Sequence, residues 1–123
     1  MKLLQIAALL GFLLGLAHSV LGERYILMRL FRRDTLPKLF GGTQFTTRTL
    51  RFAWHLTTIA LWGFAALLWQ ASSGGLDQAA MLRTIGWTCL ASGLLPLFIT
   101  RGKHLSWIVL FAIGTIALMK IGG

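Results

Sequence analysis

The amino-acid sequence predicts an all-α integral membrane protein with four transmembrane helices in an antiparallel bundle and an amphipathic, basic segment between the first two helices. Three observations predict this class. Hydrophobic residues make up 56% of the chain and charged residues only 12%, whereas soluble domains are about half apolar and about a quarter charged. The mean hydropathy is +0.74. Four apolar runs with short connectors favour helices that pack beside their sequence neighbours. The 123 residues are expected to form one domain, 1–123.

The first predicted span covers residues 3–22. At about 1.5 Å per residue it reaches roughly 30 Å, the thickness of a hydrocarbon core. Lys2 and the apolar run after it also resemble a signal peptide, but a basic segment directly after the run favours a retained helix. Small residues recur at every fourth position, which lets another helix approach closely. The predicted packing residues are Ala7, Gly11, Gly15 and Ser19.

The basic segment 23–51 contains seven of the twelve Lys and Arg residues. Its first part interleaves arginines with Ile26, Leu27 and Leu30, which predicts an amphipathic helical extension in the headgroup plane. The remaining predicted spans are residues 52–70, 84–100 and 104–121. Pro96 is expected to kink the third span, because proline removes a backbone hydrogen bond.

The distribution of basic residues predicts the orientation of the chain. The first and third connectors hold nine basic residues, and the opposite side holds three, Lys2, Arg83 and Lys120. Because cytoplasmic loops are rich in Lys and Arg, segment 23–51 is expected in the cytoplasm. The N- and C-termini are then expected on the non-cytoplasmic side of a bacterial-type inner membrane.

The net charge of +9 is expected to serve contact with the bilayer and with anionic phospholipid headgroups. Nucleic acid is not a predicted partner, because the basic residues crowd next to hydrophobic segments and no soluble core presents them. A homo-oligomer and a subunit of a larger membrane complex are both open possibilities.

Polar residues gather at the predicted cytoplasmic end, where His18 and His55 are expected at the same depth. Polar groups at membrane depth face other protein groups and often mark function. Three readings are open: the residues hydrogen-bond one another, they bind an anion or lipid, or His18 and His55 hold a metal such as the iron of haem b. No cofactor is predicted firmly. The candidate residues are His18, Glu23, Arg48, Arg51, His55, Thr58, Arg101 and His104.

No catalytic residue is predicted, because the only acids, Glu23, Asp34 and Asp77, all lie at helix ends. Arg48, Arg51 and His55 resemble part of the second helix of the membrane-bound glutathione and eicosanoid enzymes (the MAPEG family), which also have four spans and a long cytoplasmic first loop. That family's asparagine and glutamate are absent here and the spacing differs, so the resemblance implies no activity for this chain.

The leading functional prediction is a non-enzymatic inner-membrane component that binds a protein partner, itself or anionic lipid. The alternative is a redox protein that binds haem or another small ligand through His18 and His55. A membrane enzyme that acts on a lipophilic substrate is the weaker alternative.

Overall fold

The computed structural model describes residues 1–123, and its regular secondary structure is helical apart from one isolated bridge between Leu39 and Gly42. The first α-helix ends at Gly22, and the backbone continues directly through a π-helical turn, Glu23–Leu27, into a short α-helical segment, Met28–Leu30. This continuation confirms the helical extension that the sequence predicts. The four main helices are α1 Lys2–Gly22, α2 Gln44–Ser72, α3 Gln78–Ile99 and α4 Ser106–Met119.

Three helices are long and apolar enough to cross a membrane: the continuous helix Lys2–Leu30, α2 and α3. The fourth, α4, is equally apolar but has only 14 residues, so it extends over roughly 21 Å. Helix α2 begins at Gln44, eight residues before the predicted span 52–70. The prediction placed its start where charged residues end, but a helix can continue beyond the hydrocarbon core, so Arg48 and Arg51 are helical.

Each helix packs against its neighbours along the chain: α1 against α2, α2 against α3, and α3 against α4. Glycine makes each of these approaches possible. Gly15 of α1 lies against Trp62 and Thr58 of α2, and Gly63 of α2 lies against Thr88 of α3. A side chain at these glycines would overlap the neighbouring helix, which is why small residues mark close helix contacts.

Backbone approaches backbone closely between α3 and α4, where Gly86 and Gly114 face each other across the crossing. A Cβ atom on Gly114 would lie 2.7 Å from the carbonyl oxygen of Gly86. The same interface places Gly93 against the ring of Phe111. Pro96 lies inside α3 and is buried, as Gly86 and Gly93 are, so the face of α3 that carries the proline is enclosed by protein.

The surface of the chain is unusually apolar. Only 14 of the 123 residues are buried, and large apolar side chains such as Leu3, Phe98 and Met119 are at least 70% exposed. Soluble monomers rarely expose contiguous apolar patches of this kind. The exposure is compatible with a small membrane protein.

The connector between the first two helices ends in a tight turn at Phe40 and Gly41. Both residues have a positive φ, 57° and 88°, the pattern of a type I′ turn. The amide of Leu39 donates to the carbonyl oxygen of Gly42 at 2.8 Å. The hydroxyl of Thr46 donates to the carbonyl oxygen of Pro37 at 2.7 Å and ties the connector to α2.

Candidate functional site

A polar network joins the end of α1 to the first half of α2. The carboxylate of Glu23 accepts from Arg51 at 2.9 Å through Oε1 and from His55 Nε2 at 3.0 Å through Oε2. On its other side, His55 Nδ1 lies 2.8 Å from the hydroxyl of Ser19. That hydroxyl also bonds the hydroxyl of Thr58, which is buried. Five side chains from two helices therefore form one continuous hydrogen-bonded chain.

The hydrogen bonds that this network can make depend on whether His55 is neutral or charged. A neutral ring donates from Nε2 to Glu23 and accepts at Nδ1 from Ser19. A charged ring donates at both nitrogens, so the Ser19 hydroxyl turns toward Thr58. The Thr58 hydroxyl then donates to the carbonyl oxygen of Gly15, 3.1 Å away. With a neutral ring, the single proton of the Thr58 hydroxyl can go to Ser19 or to the carbonyl oxygen of Gly15 but not to both, so the charged ring allows one more hydrogen bond.

His18 lies beside this network and bonds Trp54 instead of His55. Its ring stacks on the Trp54 indole with centroids 4.5 Å apart and planes 3° from parallel. His18 Nε2 lies 3.2 Å from the carbonyl oxygen of Trp54, and the indole N–H donates back to the carbonyl oxygen of His18 at 2.9 Å. The two helices are therefore joined by a reciprocal pair of hydrogen bonds at this level.

The π-helical turn Glu23–Leu27 positions the acid of the network. A π-turn accommodates an extra residue in a helix and occurs frequently at functional sites. Here it lies directly after Gly22, which is buried against the Trp54 indole. The close approach at Gly22 brings Glu23 within reach of Arg51 and His55.

The residues do not fit a haem held between His18 and His55. Both nitrogens of His55 are engaged, by Ser19 and Glu23, and His18 Nε2 lies 3.2 Å from the carbonyl oxygen of Trp54. Neither His18 nor His55 lines any of the five main pockets of the protein. No group of three or more His, Cys, Asp or Glu residues in the chain could hold a metal ion.

Three predicted site residues lie elsewhere, toward the turn that connects α3 and α4. His104 packs edge-on against Phe52, with centroids 4.9 Å apart, and its Nδ1 lies 2.8 Å from the Ser106 hydroxyl. Arg101 lies in the turn with a positive φ of 53°. Arg48 lines a pocket at the start of α2. The predicted polar cluster is therefore divided between two places.

That pocket, which we call the basic groove, has a volume of about 120 Å³. It lies between the Phe40–Gly41 turn, the first turns of α2 and the turn after α3. Its lining residues are Leu39, Phe40, Gly41, Gly42, Gln44, Phe45, Arg48, Thr100 and Lys103.

Sequence reasoning missed Trp54 and Lys103 as partners of these sites. Trp54 directly precedes His55 on α2, and that position could have indicated that it lies opposite α1. Lys103 contributed only to the charge count. Its presence in the groove depends on the turn after α3, which brings it back beside Arg48.

Comparisons of the chain with protein-family models, curated proteins and solved structures found no match. The functional reading therefore depends on the two sites alone.

Proposed function

We propose that the chain is a small multi-pass protein of a bacterial-type inner membrane that binds anionic phospholipid headgroups at its basic, cytoplasmic end. In this proposal the four helices form an antiparallel bundle, and both termini lie on the non-cytoplasmic side. The protein acts as a non-enzymatic membrane component.

One observation carries the proposal. Arg51 is the only one of the twelve Lys and Arg residues that has a carboxylate within salt-bridge distance. The other basic residues have no acidic partner in the protein, and most of them border the long apolar helices. Juxtamembrane Lys and Arg residues are attracted to anionic headgroups by about 1 kcal/mol each.

The polar network supports the same proposal, because its side chains hydrogen-bond one another across α1 and α2. Glu23, the single acid among them, is already shared between Arg51 and His55. We infer that the network holds the two helices together and so keeps the basic segment at the membrane surface.

Reconstitution tests lipid binding. We expect the purified protein to have a higher Tm in nanodiscs that contain phosphatidylglycerol than in phosphatidylcholine nanodiscs, and the difference to shrink as salt screens the charges. Equal Tm values in the two lipids at low salt would contradict the proposal.

Cysteine labelling tests the orientation. Cys89→Ser removes the single native cysteine, and Lys38→Cys and Gly123→Cys then report the two sides separately. In intact cells, we expect a membrane-impermeant maleimide to label Gly123→Cys but to leave Lys38→Cys unlabelled until the membrane is opened. The reverse pattern would place the basic segment outside.

A second candidate function is assembly with another copy or with a larger membrane complex. The observation in its favour is that the helices pack in sequence order. Among the main helices, α1 is in substantial contact only with α2, so the rest of its surface is free to contact another protein. Chemical crosslinking in native membranes, followed by mass measurement in detergent, tests this candidate. A monomer by both measurements would remove self-assembly.

A further inference from the structure

We infer that the basic groove binds the phosphate group of an anionic phospholipid, held by Arg48 and Lys103. This inference depends on the proposed function and makes it more specific. It assigns headgroup binding to one defined site in addition to the general attraction of the basic residues.

The two cations come from different parts of the chain. Arg48 lies on α2, and Lys103 lies in the turn after α3. Neither has a carboxylate partner. Because like charges repel, the fold gains nothing electrostatically from bringing them to one pocket, and an anion between them removes the repulsion. The guanidinium and ammonium groups are also the side chains best suited to phosphate oxygens.

The size and lining of the groove match a headgroup phosphate. A volume of about 120 Å³ is room for several water molecules, since one needs roughly 10–15 Å³ on this measure. Gly41 and Gly42 line the wall without side chains, so a ligand can approach the backbone there. The first turn of α2 adds positive potential nearby, but the two cations carry the inference.

Strained backbone also points to this groove. Phe40 and Arg101 are the only non-glycine residues in the chain with a positive φ. Phe40 lines the groove, and Arg101 lies between its lining residues Thr100 and Lys103. Such conformations cost energy and tend to cluster at functional sites.

Phe40 identifies a lipid as the source of the phosphate. Its side chain is 80% exposed at the tip of the turn, and Leu39 beside it is 49% exposed. Exposed apolar side chains next to cations are the pattern of a segment that enters the boundary between headgroups and acyl chains. Free phosphate in water would offer Phe40 no contact.

The test is calorimetric titration of the full chain in a non-ionic detergent with three probes: short-chain phosphatidylglycerol, short-chain phosphatidylcholine and inorganic phosphate. The test variant combines Arg48→Gln with Lys103→Gln. The matched control combines Arg32→Gln with Arg33→Gln, which removes the same charge from exposed residues of the basic segment. Arg48→Lys keeps the charge and guards against loss of folding.

We expect phosphatidylglycerol to bind the test variant at least about tenfold more weakly than the wild-type chain. The control, which loses only general attraction, should weaken phosphatidylglycerol binding at least about threefold less than the test variant does, and Arg48→Lys should bind close to the wild-type chain. Phe40→Ser should weaken phosphatidylglycerol binding but leave phosphate binding unchanged.

Three results would overturn the inference in different ways. Equal weakening in test and control variants would leave only general attraction, so the proposed function would survive without the groove. Equal binding of phosphatidylglycerol and phosphatidylcholine to the wild-type chain would contradict both the groove site and the proposed function. Binding of inorganic phosphate as tight as that of phosphatidylglycerol, unaffected by Phe40→Ser, would identify a phosphate site that does not recognise lipid.

Discussion

Glu23 and His55 are joined by a hydrogen bond of 3.0 Å between Oε2 and Nε2, although they lie 32 residues apart in the sequence. The same carboxylate pairs with Arg51, one helical turn before His55. Glu23 thus fixes α1 relative to two positions on one face of α2.

The first prediction concerns the charge of Glu23. Glu23→Gln keeps the shape of the side chain but removes the charged acceptor shared by Arg51 and His55. Because these groups are partly exposed, we expect the free energy of unfolding to fall by only about 1 kcal/mol. Thermal unfolding in detergent micelles measures this. Asp34→Asn is the control, since Asp34 is exposed and has no salt bridge, and an equal loss in both variants would argue against the network.

The second prediction concerns the buried hydroxyl of Thr58. Thr58→Val keeps the volume but removes the bonds to Ser19 and Gly15. We expect a loss of about 0.5–1.5 kcal/mol, the range for one hydrogen bond. Thr57→Val, at the exposed neighbouring position, should have little effect. A double-mutant cycle of Thr58→Val with Ser19→Ala should show coupling, and strictly additive effects would contradict the shared bond.

The third prediction compares two glycines of α1. A Cβ atom on Gly22 would overlap the Trp54 indole, whereas one on Gly11 would lie 3.5 Å from Ala65 Cβ, an ordinary contact. We expect Gly22→Ala to destabilise the chain by about 1–3 kcal/mol. Gly11→Ala should be neutral or stabilising, because alanine favours helices. Thermal unfolding followed by tryptophan fluorescence measures both, and the opposite order would contradict this packing.

The fourth prediction concerns the crossing of α3 and α4. In Gly114→Ala the new methyl group would meet the backbone oxygen of Gly86 at 2.7 Å, and backbone cannot rotate away as a side chain can. We expect the helices to separate and the free energy of unfolding to fall by about 1–3 kcal/mol. Pulse proteolysis in detergent measures the change. Gly11→Ala is the matched helical control, and equal stability of the two variants would show that the crossing tolerates a methyl group.

The helical class could be predicted because it depends on local composition. Apolar runs identified the helices. His18 and His55 were expected at one depth, and the structure places His18 against Trp54, the residue before His55. The small residues of α1 indicated a packing face, and Gly11 and Gly15 do face α2.

The division of the polar cluster could not be predicted, because it depends on rotation around α2. Arg48 and Arg51 are three residues apart, yet Arg51 reaches Glu23 and Arg48 lines the basic groove. Counting residues along α2 places both arginines at about the same depth in the membrane. It does not determine whether each side chain faces α1 or the turn after α3. Similarly, the contact between Gly86 and Gly114 depends on where α3 and α4 cross. Because both helices are almost uniformly apolar, their sequences do not indicate the crossing point.

The order in which the helices pack has a consequence for how the protein is made. Since each main helix is in substantial contact only with its neighbours in the sequence, every interface is complete once the second of its two helices has left the ribosome. Folding can therefore proceed during synthesis, because no helix depends on a helix made much later to cover its contact surface. A nascent chain that stops after Ser72 should already hold the Glu23–His55 hydrogen bond.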